Sequence, residues 1–287
     1  MKVLIIVFIL TLIGPFNQLK AETSNFHLFS MGTLWKIDLF HPNKAVKKDI
    51  LKVILNKELQ RYDQTFSDWS SSSELRKLEK NMENWLTPSP LFMKGLEYSQ
   101  EAFDLTYKNF DITIGSVLWK EALKPVGMEK LQMRTKQGKK QFRFLTNPKR
   151  LTFGGIVKGM VLGRLSQILM KHNIKNFRVD AGGGNISLMG QKSSLMAWEE
   201  EVELGALKKD EIIFISRSKL TRPDGVKHIF SRTKTKNDKK NQSVIFCKSE
   251  ANKVTDWERL ASLSDALSTV QTFSNSKLSQ TLNCKKL

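Results

Sequence analysis

Cysteine is almost missing from this chain: Cys247 and Cys284 are the only two. That excludes a cysteine-built zinc site, which needs several ligands at close spacing. It also leaves no thiol near residue 21 for lipid attachment. In an exported chain the two could pair, although Cys284 lies in a polar tail, which speaks against a bridge. Long apolar runs are missing too. The longest at the N-terminus, residues 3–13, falls short of the roughly 20 residues that span a bilayer. Acidic residues are scarce, with 28 Asp and Glu against 47 Lys and Arg and a net charge of +19. The basic residues concentrate in 136–149 and 227–240, without the interleaved aromatics of a nucleic-acid surface. No nucleic-acid partner is expected, and the excess charge reads as solvated surface. No internal repeat is present.

What is present begins with a short leader. Lys2, the apolar run 3–13, the Gly14–Pro15 break and Ala21 fit a secretory signal peptide over residues 1–21. Residues 22–274 then form one unit, and the polar segment 275–287 is expected to be disordered. Periodicity predicts a strand over 26–40 and helices over 44–66, 74–80 and 91–108. Further expectations are a helix over 156–172, strands over 176–180, 211–216 and 243–247, and a last helix over 255–273. Thr255 and Glu258 have the spacing of a capping box for that helix.

Residues 151–190 carry the strongest signal. Gly154, Gly155 and Gly159 surround Lys158 at a predicted helix start, and Gly182, Gly183 and Gly184 follow a predicted strand. Glycines at a helix N-terminus let backbone N–H groups approach an anion, and Lys158 would neutralise a phosphate there. A close-packed turn with a solvated lysine has the same pattern. Asp265 and Thr269 lie one helical turn apart, a spacing that suits a hard cation such as Mg²⁺ as well as a surface Asp beside a packing Thr. His228 could act as a base and Trp69 could stack on a planar ring. Equally, the histidine could be a structural hydrogen-bonder and the tryptophan half-buried core.

Taken in order, the motifs are MGT (31–33), FSDW with SSSEL (66–75), FDITIGSVLW (110–119), GGIVKG (154–159), AGGGNI (181–186), HI (228–229) and SDALST (264–269). This series resembles the ApbE family, the FAD:protein FMN transferases, over about residues 31–273, nearly all of the mature chain. The resemblance implies an α+β, T-fold-related single unit with a cofactor cleft between a portion carrying the glycine clusters and a portion carrying MGT and FSDW. It implies FAD and Mg²⁺, and transfer of FMN by a phosphoester bond onto a Thr or Ser of a target protein. Asp265, Thr269 and the Gly155 carbonyl would hold the metal. Met31, Trp69, Asn109, Phe110, Asp111, Thr152, Lys158 and Ile229 would border the cofactor. His228 and Lys158 would aid transfer. The implied location is periplasmic, or on the periplasmic side of the inner membrane with membrane contact through an uncleaved N-terminus. The chain departs from the family pattern at Thr152 and Gly163, where carboxylates are usual, and at Ser231 and Arg232. Those departures open two alternatives: a flavin-binding protein without transfer activity, or a Mg²⁺-dependent FAD pyrophosphatase releasing FMN and AMP.

Overall fold

The computed structural model describes residues 23–40, 47–118, 120, 122, 124–190, 194–197, 200–203, 211–219, 242–270 and 282–286. In chain order the elements are β1 (Thr23–Ser30), β2 (Thr33–Phe40), α1 (Lys48–Phe66), α2 (Glu74–Leu78), α3 (Pro90–Leu105), α4 (Gly115–Leu118), β3 (Leu131–Lys136), β4 (Lys139–Phe144) and α5 (Val157–Lys171). They continue with β5 (Phe177–Ala181), β6 (Asn185–Met189), β7 (Ser194–Ala197), β8 (Glu200–Glu203), β9 (Glu211–Lys219), β10 (Gln242–Glu250), α6 (Trp257–Thr269) and β11 (Cys284–Lys286). Seven strands form one antiparallel sheet in the order β1-β2-β5-β6-β9-β10-β11. The pairs β3-β4 and β7-β8 stand apart from it. The α+β class expected from the sequence is the class observed.

Alternation along the strands sorts the sheet into two faces. On one face Ile37, Val179, Met189, Phe214 and Ile245 join the main core with α1, α3, α5 and α6. On the other, Ile186, Leu188, Ile213, Ile215 and Phe246 make a second apolar cluster. The same parity puts Asn185 and Ser187 of β6, and Ser216 of β9, on the helical face. Asn185 and Ser216 are direct cross-strand partners. Ser187 is joined to Ser166 of α5 at 2.9 Å. The helical face is therefore apolar except where polar side chains meet the helices.

Several local expectations change. The single strand over 26–40 is a hairpin, because Met31 (φ 55°) and Gly32 (φ 68°) form its two-residue turn. The capping box does not form: α6 has no side-chain cap, and Glu258 is buried, taking the Tyr62 hydroxyl at 2.5 Å and the Lys94 ammonium at 2.9 Å. A second hairpin, β3-β4, pairs Leu131–Lys136 with Lys139–Phe144. The tail is not wholly disordered. Leu282 is buried and Cys284 pairs with Cys247 both in strand register and by a disulfide, correcting the expectation against a bridge. Apolar burial of Leu282 and Cys284 anchors a segment whose composition is otherwise polar.

Two glycines do something other than bind phosphate. A Cβ on Gly159 would lie 2.2 Å from the Ala261 carbonyl oxygen, and one on Gly163 would lie 2.4 Å from the Glu258 Cα. Both are contact points where α5 meets the backbone of α6. The family's carboxylate cannot be accommodated at Gly163 with these helices so close, which gives that departure a packing reason. Gly163→Ala should overpack the crossing and destabilise by about 1–3 kcal/mol or more, read as a lower melting temperature. Reduction of the 37-residue-separated disulfide should cost about 2–4 kcal/mol, checked by thermal unfolding with and without reductant.

Candidate functional site

The polar break in the core is built around Asp265. Its carboxylate is buried, yet three donors reach it: the Gly159 N–H at 3.1 Å on Oδ2, and the Asn185 amide at 2.7 Å and the Ser216 hydroxyl at 3.2 Å on Oδ1. Asn185 also donates to the Ser216 hydroxyl oxygen, and Ser216 and Ser268 hydroxyls lie 2.8 Å apart. Burial pushes the Asp265 carboxyl above its ordinary range, while the Lys158 charge and the three hydrogen bonds oppose that rise. A carboxylate taken out of water needs such partners. Asn185 and Ser216 meet that need because they are cross-strand neighbours on the helical face, and Gly159 because α5 crosses α6 so closely.

One turn further along α6, Thr269 donates to the Asp265 carbonyl at 3.0 Å. It also meets the glycine turn: a Cβ on Gly155 would lie 3.0 Å from Thr269 Oγ1 and 3.2 Å from the Phe110 ring. Gly155, Asp265, Thr269 and Phe110 are thus gathered at the start of α5, with half-buried Lys158 beside them. A carboxylate accepts about four hydrogen bonds, and among the described residues three donors reach Asp265, two on Oδ1 and one on Oδ2. This donor set fits a hard cation with few protein ligands. Among the described residues no cluster of three or more His, Cys, Asp or Glu side chains offers an alternative metal site.

The second part of the site is an open groove of about 620 Å³, lined by Asp68, Trp69, Arg76, Glu79, Lys149 and Arg150. Trp69 is 80% exposed, so it is not the half-buried core residue that the sequence left open. The loop that presents it is fixed by Arg76, which is buried and donates twice to the Asp68 carbonyl, at 2.9 and 2.6 Å. Arg76 also pairs with Glu79, which accepts from the Leu151 N–H at 2.8 Å. The Asp68 carboxylate takes the Thr152 hydroxyl at 2.8 Å and lies 3.7 Å from Arg76. Burial raises the Asp68 carboxyl; the Thr152 hydrogen bond and the Arg76 and Arg150 charges lower it. Glu79 is likewise raised by burial, against its hydrogen bonds and the same two arginines.

The remaining candidates take varied places. Thr152 donates its N–H to Ile112 at 2.9 Å, tying the glycine turn to the Asn109–Phe110–Asp111 segment. Asp111 caps that segment, its Oδ1 accepting the Thr113 N–H at 2.9 Å and hydroxyl at 2.7 Å. Asn109 is half-buried and donates to the Thr106 carbonyl at 2.9 Å. Met31 occupies the β1-β2 turn, and the following Thr33 abuts Gly182, where a Cβ would lie 2.3 Å from its Oγ1. Gly182 (φ 66°) and Gly183 (φ 79°) turn the β5-β6 hairpin, and the Gly182 N–H donates to the Leu34 carbonyl at 3.0 Å, so this glycine cluster serves a close backbone approach. His228 and Ile229 lie outside the described residues, as do Ser231 and Arg232. Sequence reasoning passed over Asp68, Arg76, Asn185, Ser216 and Ser268. Asp68, Asn185 and Ser268 carried a signal, sitting inside quoted motifs without a role.

Comparison with known proteins bears on the fold and the family. A curated FAD:protein FMN transferase from Buchnera aphidicola subsp. Schizaphis graminum is 22% identical over 187 residues, 58% of this chain. The match spans about half of that relative, 52% of its length. Two solved structures share the fold: the flavin transferase ApbE from Vibrio cholerae, with TM-score 0.65 at 19% identity over 87% of each chain, and the ApbE protein from Thermotoga maritima, with TM-score 0.67 at 19% identity over 87% of this chain and 86% of that one. Residues 31–219 match the ApbE family as a whole. The extent of that match, from the β1-β2 turn to the end of β9, makes this chain a member of the ApbE family.

Proposed function

We propose that this protein is a Mg²⁺-dependent FAD:protein FMN transferase that acts on an exported protein. The observation that carries the reading is the joining of Asp265, Thr269 and Gly155 at the start of α5, with Lys158 beside them, close in sequence to Thr152 and through it to the Trp69 groove. The Asp265 carboxylate, the Thr269 hydroxyl and the Gly155 carbonyl would hold the metal. Bound there, Mg²⁺ would spread the charge that develops on a pyrophosphate as it is split. Lys158 adds a positive charge on the same side. Trp69 offers an exposed face for the isoalloxazine ring, with Phe110 bordering the phosphate end. The P–O bond to the AMP half breaks, AMP leaves, and the hydroxyl of the acceptor Thr or Ser forms the new phosphoester. His228 is assigned the proton of that hydroxyl.

Export is supported by the apolar leader 3–13 and by the Cys247–Cys284 disulfide, a bond that persists in oxidising compartments. Among the described residues no helix is long and apolar enough to cross a membrane. The pyrophosphatase alternative draws on Thr152, which brings a neutral hydroxyl where the family has a carboxylate. Product analysis separates the two readings, since hydrolysis gives free FMN with AMP and transfer gives labelled protein with AMP.

Purified protein given FAD, Mg²⁺ and a partner with a flavinylation motif should yield a covalently fluorescent partner, and chelation should stop the labelling until Mg²⁺ is restored. Intact FAD binding without label or AMP would overturn the enzyme. Asp265→Asn should slow labelling by about 10²-fold or more with the fold retained by circular dichroism. Trp69→Ala should weaken FAD binding about 3–10-fold by titration, with a smaller effect on the rate at saturating FAD.

A further inference from the structure

We propose that Thr152 and Asp68 form a positioning pair that sets the ring-stacking end of the site against its metal end. The proposal rests on the flavin-binding reading above. It starts from the way the Trp69 loop is held. Most of its hydrogen bonds are short-range: Ser67 Oγ accepts the N–H groups of Trp69 at 3.4 Å and Ser70 at 3.2 Å, and Ser73 Oγ donates to the Ser67 carbonyl at 2.9 Å. Arg76 adds its two bonds to the Asp68 carbonyl from α2, the helix that follows directly. These interactions shape the loop but leave open where it stands relative to α5.

The Asp68–Thr152 bond supplies that placement next to Trp69 itself, beside the Leu151–Glu79 bond one residue earlier in the same segment. It joins residues 84 apart in sequence at 2.8 Å, one residue before Trp69 on one side and three before Gly155 on the other. Thr152 is held from both neighbouring directions. Its N–H donates to Ile112, and its hydroxyl oxygen lies 3.4 Å from the Gly154 N–H. One side chain therefore touches the stacking loop and the glycine turn, while its own backbone grips the Phe110 segment. Asp68 is oriented in turn by Arg76, 3.7 Å from Oδ1. A carboxylate brought from a different part of the chain faces the hydroxyl that replaces the family's own. The bonds of the pair run to the Trp69 loop, the Gly154 amide and Ile112, so its role is to position Trp69.

Half-ligands test this. Riboflavin carries the ring without phosphates, and ADP carries adenosine and phosphates without the ring. Calorimetric titration of the mature protein should show Thr152→Val weakening riboflavin and FAD by about tenfold, the scale of one hydrogen bond to a charged group. ADP affinity should stay within about twofold under the same change. Thr152→Ser keeps the hydroxyl and should restore ring binding. Asp68→Asn keeps an acceptor and should lose less than Asp68→Ala, with melting temperatures reported for each. Unchanged FAD and riboflavin affinity in Thr152→Val, or an equal loss for ADP, would overturn the pair's role. Wild-type protein that binds no flavin would overturn the flavin reading itself, a distinct result.

Discussion

Two helices meet backbone to backbone because Gly159 and Gly163 leave no side chain between them, and the placement of the Asp265 carboxylate follows from that contact. The Gly159 N–H reaches Asp265 Oδ2 only while α5 and α6 stay this close. An amide this near the start of α5 has no carbonyl one turn back within the helix, so a carboxylate from α6 satisfies it at the positive end of a helix dipole. The buried charge is thereby shared among a backbone amide, a strand pair and Lys158. Moving α6 outward by the width of a methyl group would break that arrangement and carry Thr269 away from Gly155.

The two ends of the site are built on different principles. Around Asp265 the groups are buried, rigid and mutually bonded, which suits holding an ion in fixed geometry. Around Trp69 the surface is open and the loop is pinned by a network of arginines and carboxylates: Arg76, Asp68, Glu79 and Arg150. Removing one member of such a network strands the others in a poorly hydrated place, which costs more than the pair itself contributes. Residues 150–155 run between the two ends. Leu151 gives its amide to Glu79, Thr152 its hydroxyl to Asp68, and Gly155 its bare backbone to Thr269.

Much of this was legible in the sequence where a short-range rule governs. The helices at α1, α3 and α5 follow their apolar spacing, and Asp265 with Thr269 could be placed on one helical face from spacing alone. What the sequence concealed depends on tertiary contact. Gly159 looked like part of a phosphate loop because a glycine for anion approach and a glycine for helix crossing are the same residue. Glu258 had the spacing of a cap, but a buried Tyr62 hydroxyl competes for it more strongly than a backbone amide. Ser216 and Asn185 are ordinary polar residues in strands until register sets them side by side. Ser89, by contrast, caps α3 as local chemistry would have it, just before Pro90.

The three residues of β11 have a significance beyond covalent attachment. Cys284–Lys286 lies along residues 245–247, the middle of β10, and is itself the outermost strand of the sheet on that side. An uncovered β10 would present a row of unpaired N–H and C=O groups beside Ile245 and Phe246, a template on which another chain can add a strand. The short strand closes that template with a lysine-rich segment whose charge repels further addition. The C-terminus thus acts as a guard on the sheet edge, and the disulfide keeps the guard in place when the rest of the tail is pulled or clipped. Protection of this sheet edge against strand addition thus rests on three residues and one covalent bond.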